Sequence, residues 1–106
     1  MKEYFMKEAL IRAQLAFEKD EVPIGAVVVK KNKIIGYGQN RTIEKSSVFA
    51  HAEIEAIKMA SQKEQNYRLT GCDIYSTIEP CHLCAKAIIA SRIDNLYIGA
   101  KEPKEG

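Results

Sequence analysis

The residues best equipped for chemistry fall in two short stretches, His51-Ala52-Glu53 and Thr77-Ile78-Glu79-Pro80-Cys81-His82-Leu83-Cys84. Cys81 and Cys84 are three positions apart, a spacing that puts both thiols on one face of a helix's first turn. Pro80 suits the first position of that helix, where its missing N–H would have had no partner. The partial positive charge of a helix N-terminus favours thiolates. Two sulfurs and one imidazole make three ligands, and a tetrahedral zinc with three protein ligands keeps one position for water, as catalytic rather than closed structural sites do. His51 is the other strong ligand candidate. Glu53, close beside it, is the candidate acid/base.

Each piece has a plainer reading. A lone C-x-x-C also marks a redox pair or half a zinc ribbon. Ala85 follows Cys84, so the haem-attachment pattern is not met, and a Cys₄ site needs a second pair where only Cys72 remains. His-x-Glu alone opens many surface helices. The combination, His-x-Glu and then Pro-Cys-x-x-Cys opening a second helix, resembles the signature of the zinc-dependent nucleobase deaminases.

The remaining composition sets the frame. A chain of 106 residues is expected to form one domain, and an apolar fraction of 46% is ordinary for a globular protein. The longest apolar run, Ile24 to Val29, is strand-sized and far below the ~20 residues that span a bilayer. Met1-Lys2-Glu3 opens directly into a charged amphipathic pattern, so no secretory leader is expected. Three cysteines, two of them placed as metal ligands, predict a reducing cytoplasm rather than a disulfide framework. The net charge of +2 permits a nucleic-acid partner without calling for one.

The elements that must position these residues follow from periodicity. Phe5, Met6, Ala9, Leu10, Ala13, Ala16 and Phe17 form a helical stripe within residues 3–19, which Pro23 ends. Ile24 to Val29 reads as a strand covered on both faces. Lys31-Asn32 is turn material, and Lys33 to Gly38 completes a hairpin. A polar loop, Gln39 to Ala50, leads to a helix over 51–62. A third strand, Cys72 to Thr77, runs into the helix from Cys81 to Ser91, and Asn95 to Gly99 is the fourth strand. The order is α-β-β-α-β-α-β. The final β-α-β predicts a parallel pair with a right-handed crossover, so both carboxyl ends share the rim where ligands of open α/β sheets bind.

Along nearly its whole length the chain resembles the tRNA-specific adenosine deaminases, a branch of the cytidine-deaminase-like superfamily. Glu21-Val22-Pro23-Ile24-Gly25-Ala26-Val27, Asn40-Arg41, Asn66-Tyr67-Arg68-Leu69 and Tyr97-Ile98-Gly99-Ala100 carry the likeness beside the two stretches above. The resemblance implies a three-layer α/β/α sandwich with a mixed sheet, one Zn²⁺ per chain held by His51, Cys81 and Cys84, and proton transfer by Glu53. It implies that Asn40 and the backbone of Ala52 meet the purine and that Ile24 and Ile78 line its pocket. The reaction implied is hydrolytic deamination of adenosine to inosine at the tRNA wobble position, with zinc-activated hydroxide attacking C6. The partner is the anticodon stem-loop, and the assembly a homodimer. Deamination of a free base or nucleoside, such as guanine, cytosine or cytidine, would use the same zinc chemistry; a zinc-binding structural subunit is a third reading, against which an intact Glu53 argues.

Four features depart from the family pattern. Ser47-Val48-Phe49-Ala50 replaces the usual Asp-Pro-Thr-Ala before His51. Glu102 stands where an Asp is usual, at the substrate rim. His82, between the two cysteines, is expected to point to solvent. The family continues past Gly106 with a fifth strand and further helix, so the natural protein is expected to be longer. Arg41, Lys45, Lys101 and Lys104 are expected to make the rim basic.

Overall fold

The computed structural model describes residues 1–100. Lys31 and Asn32 both take left-handed φ, 51° and 63°, the two-residue turn whose twist matches a hairpin. It joins β1 (Gly25–Lys30) to β2 (Lys33–Gln39). Around the hairpin run α1 (Lys2–Glu18), α2 (Ala52–Glu64), β3 (Cys72–Ile78), α3 (His82–Ala90) and β4 (Asn95–Ala100), the expected order. The sheet order is β2-β1-β3-β4, with β1 antiparallel to both neighbours and β3 parallel to β4. Helix α1 covers one face and α2 with α3 the other, giving the three layers. No helix of the described residues is long and apolar enough to cross a membrane.

Helix α2 lies almost on the strand backbone. Ala52, Ala56 and Ala60 are fully buried, and opposite them are Gly36 and Gly38. A Cβ on Gly38 would stand 2.2 Å from the Ala52 carbonyl oxygen, and one on Gly36 2.3 Å from that of Ala56. A bulge helps: Val28 faces Gly36 and Val29 faces Ile34, which leaves Ile35 unpaired in the ladder. This contact seats the first turn of α2 beside the carboxyl end of β2.

The α1 stripe is narrower than its periodicity predicts. Phe5, Ala9, Ala13 and Ala16 are buried, but Leu10 and Phe17 are 53% and 61% exposed. The cause is Gly25, where an added Cβ would lie 2.1 Å from the Ala9 carbonyl oxygen. So close an approach buries the small residues and leaves the larger ones beside them outside.

Candidate metal centre and catalytic cleft

His51 and Cys81 are the N-cap residues of α2 and α3, both extended, and neither side chain makes a capping hydrogen bond. Pro80 therefore precedes α3 rather than opening it as expected, because Cys81, at ψ 177°, is not yet helical. Imidazole and thiol are poor substitutes for the oxygens that normally cap, so both side chains turn toward each other instead. Cys84, three residues on and 1% exposed, joins them.

The His51 nitrogen and the two sulfurs all lie within 4.8 Å of one another. His51 Nδ1 is 3.7 Å from Cys81 Sγ and 3.3 Å from Cys84 Sγ. A tetrahedral zinc with ordinary Zn–S and Zn–N bonds requires an N···S edge of about 3.6 Å. The measured pair brackets that value, so the three residues fit a metal of this kind. Burial pushes the Cys84 thiol far above its usual range, and the negative charges of Glu53 and Cys81 add to the effect. A coordinated cation reverses that balance, since a metal-bound thiol gives up its proton outright.

A cleft of about 390 Å³ opens over this cluster, lined by Val22, Ile24, Asn40, Thr42, His51, Glu53, Ile78, Glu79, Cys81 and Cys84. Its walls come from one rim of the sheet: the entry to β1, the exits of β2 and β3, and the starts of α2 and α3. Ile24, Asn40 and Ile78 line it. Ala52, the first residue of α2, is fully buried and does not line it. The Glu79 N–H donates to the Ala100 carbonyl at 3.0 Å, so the end of β4 lies beside that of β3. His82 is exposed and outside the cluster, as expected.

Several residues at the site were assigned no role from sequence, among them Ser76, Thr42 and Glu21. Ser76, fully buried, donates its hydroxyl to Glu53 Oε2 at 2.9 Å. Its signal was period-two alternation, which puts it on the inward face with Cys72 and Ile74. Thr42 lines the cleft. Glu21, 6% exposed, accepts from the N–H groups of Ile43 at 3.2 Å and Glu44 at 2.8 Å and so holds the loop after Asn40. Nothing local in the sequence announces that bond.

Of the expected basic rim, the two described residues are paired with carboxylates. Arg41 pairs with Glu44 at 2.7 Å, and Lys45 with Glu55 at 2.7 Å. The other residues assigned to it, Lys101 and Lys104, lie outside the described residues, as does Glu102. On the loop itself, Val48 and Phe49 stand exposed where the resemblance expects Pro and Thr.

A tRNA-specific adenosine deaminase of Agrobacterium fabrum is 50% identical over 103 residues, which is 97% of this chain and 68% of the relative. One of Aquifex aeolicus is 45% identical over 105 residues, 99% and 70% of the two chains. Among solved structures, one from a study of A-to-I editing by tRNA:A34 deaminases superposes with TM-score 0.94 at 50% identity, covering 97% of this chain and 79% of that one. A guanine deaminase of Bacillus subtilis gives TM-score 0.90 at 35% identity, over 93% and 64%. The family model for the cytidine and deoxycytidylate deaminase zinc-binding region matches residues 1–100. That match runs from α1 to the end of β4 and takes in every described residue of the cleft: the chain belongs to the cytidine and deoxycytidylate deaminase family.

Proposed function

We propose that this chain is one zinc-dependent deaminase domain that converts adenosine to inosine at the wobble position of tRNA. The chemistry rests on one observation, the convergence of His51, Cys81 and Cys84 with the Glu53 carboxyl in a single cleft. The choice of adenosine in tRNA rests on relatives of that name at 44–50% identity.

In this reading His51, Cys81 and Cys84 hold the zinc. When bound, it supplies a Lewis acid that activates water at neutral pH. Glu53, 3% exposed at the second position of α2, would carry one proton of the attacking water to the purine ring nitrogen and then the second, from the new C6 hydroxyl, to the leaving amine. The C6–O bond forms, the C6–N bond breaks, and adenosine plus water becomes inosine plus ammonia. Ile24 and Ile78 supply apolar walls to the base. Asn40, 6% exposed, is the polar side chain that reads its edge; the Ala52 backbone is assigned to the base by resemblance alone. Glu102 takes the rim by resemblance alone. An anticodon loop presents its bases unstacked, so little energy is spent in extracting the target.

The remaining inferences are coarser. Cys72, Cys81 and Cys84 are all free thiols, which suits the reducing cytoplasm where tRNA is found. A homodimer is favoured by the apolar groups left outside, among them Leu10, Phe17 and Ile89.

Inosine mapping on an anticodon stem-loop, set beside ammonia release from free adenosine, guanine and cytidine, tests the function. Inosine at the wobble position with negligible release from the small substrates is expected. Release from guanine without editing of the stem-loop would replace this reading with that of a free-base deaminase, the activity named for the Bacillus subtilis neighbour.

A further inference from the structure

We propose that Ser76 is a positioning residue for Glu53: its hydroxyl ties one carboxylate oxygen to the end of β3, so that the other oxygen is the one presented to the cleft. This rests on the reading of Glu53 as the proton-transferring group.

The two residues stand in an unequal relation. Ser76 Oγ lies 2.9 Å from Glu53 Oε2 and 2.7 Å from the Ile78 carbonyl oxygen. The carbonyl alone would satisfy a buried serine. Glu53, 3% exposed, has beside Ser76 the Cys84 thiol as a neighbour able to donate, and a coordinated metal would remove that thiol's proton. The contact is therefore worth more to the carboxylate than to the hydroxyl.

The position reinforces the point. Ser76 faces the α2 side of the sheet, on the row that Cys72 and Ile74 fill with apolar groups, and it pairs with Ala26 and Ile98 on the flanking strands. Packing asks for an apolar residue there. A fully buried hydroxyl costs stability unless it is bonded, and here its one proton has two acceptors in reach, Glu53 Oε2 and the carbonyl of Ile78 on the cleft wall, and serves one at a time. Given to Glu53, it joins the first turn of α2 to the strand end that leads to Cys81. With Oε2 occupied, Oε1 is left for the cleft that Glu53 lines. A carboxylate free to rotate would spend part of its time with neither oxygen aimed at the reacting atoms, and small misplacements of such a group are expensive in rate.

The test is steady-state and single-turnover deamination of an anticodon stem-loop by the zinc-loaded chain, its Ser76→Ala and Ser76→Thr variants, and Glu53→Gln with and without Ser76→Ala. A hydrogen bond to a buried charged group predicts that Ser76→Ala loses roughly ten- to a hundredfold in kcat, with KM within about threefold because the base contacts are untouched. Ser76→Thr keeps the hydroxyl and should restore most of the rate. In the Glu53→Gln background, Ser76→Ala should cost little more, because residues acting as one unit do not add. Metal content and melting temperature, measured on every variant, should stay near those of the parent.

A folded, zinc-loaded Ser76→Ala with unchanged kcat would overturn the proposal. So would a loss of equal size in the Glu53→Gln background, which would mean that Ser76 acts elsewhere. If the parent chain fails to deaminate the stem-loop, or Glu53→Gln keeps full turnover, the functional reading fails instead.

Discussion

Where α1 meets the sheet, rings do the filling: Phe5 and Tyr75 sit with centroids 5.5 Å apart, and Tyr75 stacks on Tyr97 at 4.8 Å. Where α2 meets it, the helix backbone rests on Gly36 and Gly38 in turn; α1 makes one such contact, at Gly25, beside its rings. A backbone contact of this kind has no side chain that can give way when a neighbour grows. The chemistry sits on the second side. His51 and Glu53 ride on the first turn of α2, and that turn is held through Ala52 against Gly38. The three candidate ligand atoms, within 4.8 Å of one another, thus depend on the helix whose backbone contact with the sheet recurs along its length.

The comparison can be broken most severely from the metal. Cys84→Ala should lose bound zinc and all measurable turnover, and its melting temperature should no longer respond to a chelator, since metal binding contributes to folding here. A variant that keeps stoichiometric zinc by metal analysis would remove Cys84 from the ligand set. Next in size is Glu53→Gln, expected to retain zinc and lose about 10²–10⁴-fold in kcat. Near-normal turnover would end its assignment.

Smaller changes separate the two faces directly. Gly38→Ala pushes a Cβ into the Ala52 carbonyl and should cost about 1–3 kcal/mol by denaturant unfolding. It should also lower zinc affinity, because the first turn of α2 must shift. Phe5→Leu, on the ring-filled face, should destabilise by a comparable or smaller amount and leave zinc affinity as it was. Equal effects of the two on the metal would show that tight packing does not set the site. The smallest effect belongs to Lys45→Ala, which removes an exposed partner of Glu55; it should change stability by no more than about 1 kcal/mol, visible if at all as a small shift in the denaturant midpoint.

Much of the site was legible because it is local. The spacing of Cys81 and Cys84, the pairing of His51 with Glu53, and the alternation and breaks that delimit seven elements are short-range properties of the chain. The parallel β3–β4 pair followed from a single rule of handedness, and with it the shared rim. The start of α3 was misjudged by two residues at Pro80, since the first helical residue is His82 and helix propensity does not say that Cys81 is still extended.

What escaped was non-local. Periodicity placed Leu10 and Phe17 on the core face of α1, but how deeply a helix settles depends on what it settles upon, and that was Gly25. Lys45 read as a free charge until folding brought Glu55 to it. Glu21 finds Ile43 and Glu44, and Ser76 finds Glu53, each across more than twenty residues of chain. Bonds of that range belong to the packed sheet: they form only after the strands and α2 have fixed both ends, and the residues that make them carry no spacing that announces it.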